Sequence, residues 1–222
     1  MQTVARPQFG KSETKETQMV KIYAGIAVAA VAALLGGTGY YIYSQNSGDQ
    51  FAQCRGGQVG GGQIGGPFTL VNQSGLTVTD ADVITKPTLV YFGYTFCPDV
   101  CPLDNARNAE AVDILDEMGM DVTPVFISVD PKRDTPEVMA HFAEVMHPKM
   151  IGLTGSEEQV KAASMAYKTY FKAQEAEDEY YLVDHSTFTY LMLPKIGFAD
   201  FFKREVTPDE MAQRVACFIN AS

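Results

Sequence analysis

The sequence predicts an α/β domain attached to a single membrane-spanning helix, and three observations predict it. A charge-free apolar stretch runs from Ile22 to Tyr43. Two short apolar, β-rich runs, Thr88–Phe92 and Thr123–Val129, flank a helical segment, and beyond them helix and strand patterns keep alternating toward the C-terminus. Strands that alternate with helices build an α/β sheet. With 222 residues, 46% of them hydrophobic, the chain can form one well-packed domain plus an appendage. Its formal net charge of -10 argues against a nucleic-acid binder, which needs surplus Lys and Arg to displace counterions from phosphate.

The N-terminal end is basic, with Arg6, Lys11, Lys15 and Lys21 against Glu13 and Glu16. Residues 22–43 supply the roughly 20 apolar residues that a bilayer-spanning helix requires. The run is longer than the apolar core of a cleaved signal peptide, about 7 to 15 residues. It also closes on Tyr40, Tyr41 and Tyr43, side chains suited to the membrane interface. Basic residues ahead of the span place residues 1–21 in the cytoplasm and everything after residue 44 outside, which makes this a single-pass inner (cytoplasmic) membrane protein with a periplasmic domain. Lipid attachment at Cys54 fits poorly, because Gln53 stands where a small residue is needed. Residues 44–66 are polar and glycine-rich and read as a flexible tether. No Gly-Lys-Ser/Thr follows these glycines, so they do not form a phosphate loop.

The folded part is expected over residues 67–222. Phe68–Val71 and Leu76–Thr79 flank Asn72-Gln-Ser-Gly75 as a β-hairpin. A helix is predicted from about Pro102 to Met118, with Ala106, Ala109, Val112, Ile114 and Leu115 on its apolar face. Thr135-Pro136-Glu137 opens a second helix, with Val138, Phe142 and Val145 following at helical spacing. A third covers Ser156–Tyr170. The acidic stretch 175–179 reads as a solvated loop. Strands follow at Tyr180–Val183, Phe188–Leu193 and Phe198–Phe202, and the last helix spans Thr207–Asn220.

Between the first buried strand and the first helix stands Cys97-Pro-Asp-Val-Cys101-Pro102, the placement used by thioredoxin-like redox domains but with C-x-x-x-C spacing. Thiols at a helix N-terminus feel the positive end of its dipole, which favours the thiolate that attacks disulfides and binds metals. The spacing alone permits either a shared metal ion or a disulfide. Two cysteines fall short of the four ligands of a structural zinc site or the four cysteines of an iron–sulfur cluster, so a soft ion of low coordination number fits better. A plain stabilising disulfide here would close too short a loop to contribute much.

Of the three histidines, His141 and His147 fall on a helix and its end and read as surface or capping residues. His185, in Val183-Asp184-His185-Ser186, sits at a turn that in a thioredoxin-like fold lies opposite the cysteine loop, where such folds usually carry a proline. No proline occurs from Gln174 to Leu193, so that place is open to a ligand. Cys97, Cys101 and His185 then make a set of two sulfurs and one nitrogen, suited to Cu(I), and to Cu(II) if a further ligand joins. Asp184 is placed to orient or tune the imidazole. Thiol–disulfide exchange through Cys97 and Cys101 remains the competing reading. Cys54 and Cys217 are left over and, in an oxidising compartment, are expected to pair.

Gly66-Pro67-Phe68, Cys97-Pro-Asp-Val-Cys101-Pro, Asp130-Pro-Lys-Arg-Asp-Thr-Pro-Glu137 and Asp184-His185 together closely resemble the Sco/SenC family of copper chaperones of cytochrome c oxidase assembly, from about Gly65 onward. The resemblance implies a thioredoxin-like fold with an additional N-terminal β-hairpin, and copper held by Cys97, Cys101 and His185. It implies delivery to the binuclear copper site of an oxidase subunit, and dependence on a thiol reductant or another copper chaperone. It says nothing about Cys54 and Cys217. The Asp130–Glu137 segment reads as a structural loop with no chemistry of its own.

Overall fold

The structure, a computed structural model, describes residues 13–46, 50–56, 63–175 and 180–222. The expected cytoplasmic tail up to residue 12, residues 47–49 and 57–62 of the tether and most of the acidic loop lie outside these. The chain divides into two compact units, Met1–Ala52 and Gln53–Ser222.

Among its described residues, the first unit carries one helix, α1 (Glu13–Asn46). Within it, Gln18–Ile42 is long and apolar enough to cross a membrane. The helix begins upstream of the predicted span because no Gly or Pro interrupts Glu13–Lys21. Its glycine-rich part stays helical, and Thr38 there hands its hydroxyl proton to the Leu34 carbonyl, 2.8 Å away. Satisfying polar groups inside the helix itself is what an apolar surrounding demands.

The second unit runs β1 (Thr69–Asn72), β2 (Thr77–Thr79), α2 (Asp80–Val83), β3 (Thr88–Gly93), α3 (Val100–Glu117), β4 (Thr123–Ser128), α4 (Pro136–Met146), β5 (Ile151–Thr154), α5 (Glu157–Ala166), β6 (Phe171–Ala173), β7 (Val183–His185), β8 (Thr189–Leu193), β9 (Gly197–Phe202) and α6 (Pro208–Asn220). Seven strands form one sheet in the order β2-β1-β5-β4-β3-β8-β9, and β6 and β7 pair separately. β3, β4 and β5 are parallel; the remaining pairings are antiparallel. All six residues of β3 are buried, as expected of a parallel strand covered on both faces.

Local sequence fixes the element ends. Asn72 Oδ1 accepts from the N–H groups of Ser74 and Leu76, and Gly75 takes the left-handed conformation (φ 78°) that closes the β1–β2 turn. Thr135, Ser156 and Thr207 cap α4, α5 and α6 through their hydroxyls. The core is filled by large side chains such as Tyr91, Phe92, Phe126, Tyr167, Phe202 and Phe218, all essentially inaccessible.

Several elements differ from the sequence expectation. β5 and β6 are strands of four and three residues, too short to show a period of two. Helix α5 ends at Ala166 instead of Tyr170, and Lys168 just beyond it has φ 55°, outside any helical continuation. Helix α3 starts at Val100 instead of Pro102, so Cys101 lies inside its first turn. The strand expected at Tyr180–Val183 is displaced to Val183–His185. The compact unit begins at Gln53, ahead of Pro67, because Cys54 is disulfide-bonded to Cys217. That bond is the pairing expected from the two leftover cysteines.

Candidate metal centre

The site is built where β3 stops. After Gly93 the chain turns at Tyr94–Asp99, with the Cys97 N–H donating to the Tyr94 carbonyl at 3.2 Å, and enters α3. Cys97 Sγ accepts from the Cys101 N–H at 3.4 Å, occupying an amide that a helix start leaves unpaired. Both cysteines are free thiols and buried. Glycine is required at position 93, because a Cβ there would lie 2.9 Å from Cys101 Sγ, from a Phe126 ring carbon and from a Tyr91 ring carbon.

His185 arrives from the other side, at the end of β7. Its Nε2 lies 3.2 Å from Cys101 Sγ, and its Nδ1 lies 2.9 Å from the Ser186 carbonyl oxygen. A carbonyl can only accept, so Nδ1 carries the proton and Nε2 turns its lone pair to the sulfurs. Tyr91 and Tyr94 meet the imidazole edge-on, at 6.2 Å and 5.8 Å between ring centroids. The two sulfurs and the imidazole nitrogen all lie within 4.8 Å of one another.

Burial sets the protonation of Cys101 and His185. It pushes the Cys101 thiol far above its ordinary value and pulls His185 below its ordinary 6.5, because low dielectric disfavours the charged form of either group. Two sulfurs and one borderline nitrogen, in a buried cleft, fit a soft ion of low coordination number.

A model of the family described as SCO1/SenC matches residues 57–220. This chain belongs to the SCO1/SenC family. It is 56% identical over 196 residues to protein SenC of Rhodobacter capsulatus, spanning 88% of this chain and 89% of that one. The crystal structure of Arabidopsis thaliana ScoI with copper bound matches with a TM-score of 0.68 and 43% identity, over 71% of this chain and 99% of that one. Bradyrhizobium japonicum ScoI with copper bound matches with a TM-score of 0.63 and 38% identity, over 69% and 98%. The α/β unit thus has the thioredoxin-like fold of its Sco neighbours.

In this SCO1/SenC chain, one expectation about the site needs correction in part. Asp184 does not orient the imidazole: strand alternation turns it away, and its Oδ1 accepts from Gln174 Nε2 at 2.8 Å, while its charge still works to raise the imidazole pKa against the larger effect of burial. The Ser186 carbonyl orients the ring instead. His141 is exposed on α4, and His147 is buried at its end with Nε2 3.3 Å from Asp113, so neither joins the site.

Two features escaped the sequence. Tyr91, beneath the site, donates to the buried Asp104 at 2.9 Å; Asp104 sits one helical turn after Cys101, the only hint the sequence offers. Asp134, in the segment read as a plain loop, is fully buried and accepts from Ser128 Oγ at 2.6 Å and from the Thr95 N–H at 3.1 Å. Burial raises its pKa, while these donors work in the opposite direction.

Proposed function

We propose that this protein is a membrane-anchored metallochaperone that holds copper as cargo through Cys97, Cys101 and His185 and delivers it to the binuclear copper site of a cytochrome c oxidase subunit. The observation that carries the reading is the convergence of two thiols and an imidazole nitrogen within 4.8 Å. Two solved relatives hold copper, and the Sco family is one of cytochrome c oxidase assembly proteins.

Each residue has a distinct task. Cys97 and Cys101 supply soft thiolates that suit Cu(I). Cys101 gives up its proton as the ion enters, since only thiolate binds. His185 offers Nε2 with no proton to lose, because Nδ1 carries it. Delivery proceeds by exchange of these ligands, one at a time, for those of the acceptor. The thiols must be reduced beforehand, by a thiol reductant or a partner chaperone. The apolar helix within α1 anchors the domain to the cytoplasmic membrane, with the N-terminus in the cytoplasm and the domain in the periplasm, consistent with the basic residues that precede the span.

The test is copper stoichiometry of the reduced full-length chain in detergent, by metal analysis and X-ray absorption, beside His185→Ala. One copper per chain with two sulfurs and one nitrogen, the nitrogen lost in the variant, is the expected result. No retained copper would reject the chaperone.

One contact favours a second reading, thiol–disulfide exchange: the Cys101 N–H aimed at Cys97 Sγ is a hydrogen bond that an attacking sulfur at a helix start accepts. That activity needs no histidine, so exchange rates unaffected by His185→Ala would favour it.

A further inference from the structure

The three converging side chains come from two separately anchored pieces of chain. Cys97 and Cys101 share one loop and the first turn of α3, so local backbone fixes their spacing. His185 comes from β7, which pairs with β6 in a two-stranded sheet apart from the seven-stranded one. A ligand set split this way needs a tie between its halves.

The turn between β4 and α4, Asp130-Pro-Lys-Arg133-Asp134, reaches both. On the cysteine side, the Asp134 carboxylate takes both the N–H and the hydroxyl of Thr95, and the Arg133 guanidinium carbon lies 5.0 Å from the Phe96 ring centroid and 5.6 Å from that of Tyr94. On the histidine side, the same guanidinium lies 3.7 Å from the Tyr181 ring centroid, and Tyr181 donates to Asp130 Oδ1 at 2.7 Å. The Asp130 carboxylate also accepts from Arg133 Nε, which closes a triangle of Asp130, Arg133 and Tyr181. Tyr181 lies two residues before β7, and Tyr94 touches the His185 ring directly.

We infer that Arg133, held by Asp130 and Tyr181, is a positioning residue that sets the His185 arm against the two cysteines and thereby governs how well the site holds Cu(II) relative to Cu(I). The inference rests on the copper reading above. Two thiolates suit Cu(I), whereas Cu(II) calls for nitrogen ligation in a fuller coordination sphere. An arm displaced by a fraction of an ångström therefore leaves Cu(I) held by sulfur and costs Cu(II) a ligand. A guanidinium does this work because it is flat, stacks on rings and donates in a fixed fork; a lysine keeps the charge and loses the geometry.

The experiment compares wild type, Arg133→Lys and Tyr181→Phe as full-length chains in detergent without oxygen. Cu(I) affinity is read by chelator competition, Cu(II) by electron paramagnetic resonance titration, nitrogen ligation by X-ray absorption, and folding by thermal unfolding. In Arg133→Lys, Cu(II) affinity is expected to fall about tenfold or more while Cu(I) stays within about threefold, the scale of losses seen when partners behind a metal ligand are removed. Tyr181→Phe keeps the ring under the guanidinium and loses only its bond to Asp130, so it should move the ratio the same way by less. If Arg133→Lys fails to fold, Tyr181→Phe decides. A lower melting temperature with an unchanged Cu(II)-to-Cu(I) ratio overturns the inference, for it confines the turn to stability. Wild type without a copper-bound nitrogen would instead reject the copper reading itself.

Discussion

His185 Nε2 lies 3.2 Å from Cys101 Sγ, although 84 positions of sequence separate the two residues. Burial has pushed the thiol up and pulled the imidazole down, so at neutral pH a protonated sulfur faces an unprotonated nitrogen. Copper uptake must then expel the Cys101 proton. The apparent Cu(I) affinity of the reduced chain is expected to rise about tenfold per pH unit for each proton displaced. Chelator competition at a series of pH values measures this, and an affinity flat with pH would mean that Cys101 is already thiolate.

The same burial makes stability depend on pH through His185. In the unfolded chain the imidazole takes a proton near 6.5; in the folded chain it resists until lower pH. The unfolded state therefore binds more protons in that interval, and the contribution of neutral His185 is present above about 6.5 and lost as pH falls toward the folded value. Urea unfolding of the copper-free chain at several pH values should show this slope, and it should be shallower in His185→Ala. Parallel pH curves for the two proteins would contradict it.

Gly93→Ala tests the packing under the sulfurs. The added methyl would meet Cys101 Sγ and two ring carbons at 2.9 Å, and the rings of Tyr91 and Phe126 are both buried and have nowhere to go. Overpacking of this kind costs about 1–3 kcal/mol. The Cys101 sulfur is one of the three neighbours the methyl would press on, so copper binding is expected to weaken along with stability. A variant with wild-type melting temperature and copper content would show that the loop absorbs the methyl.

What the sequence made legible follows from where its signals are local. The C-x-x-x-C spacing, the capped helix starts at Thr135, Ser156 and Thr207, and the buried apolar runs of β3 and β4 depend on neighbours a few residues away, and they stand where the sequence put them. His185 was placed by analogy with a fold, through an absent proline. β5 and β6 carry too few residues for a period to show, and the orienting role given to Asp184 was misjudged because alternation along a three-residue strand is only visible once the register of β6 against β7 is known. The work of Asp130, Arg133 and Asp134 was hidden for a different reason. Charged residues in a turn ordinarily face water, and nothing local reveals that Asp134 is enclosed by Thr95 and Ser128 from two other segments.

The Cys54–Cys217 disulfide, with 5.5 Å between Cα atoms, joins residues 163 positions apart and fastens the start of the globular unit to α6. A crosslink over so long a loop restricts the unfolded chain strongly, and removing one from a folded domain typically costs about 2–4 kcal/mol. Cys217→Ser is therefore expected to lower the unfolding free energy by that amount and the denaturation midpoint with it, and reductant should lower the wild type toward the variant while leaving the variant itself unchanged. The substitution also frees the segment around Arg55, which lies partly buried beside the bond, so trypsin should cut after Arg55 faster in the variant than in the oxidised wild type. Copper stoichiometry supplies the control, because Cys97, Cys101 and His185 stand on other elements and should still take one ion per chain. Equal midpoints and equal cleavage rates for the oxidised wild type and Cys217→Ser would show that the bond adds nothing to a segment already held by its packing.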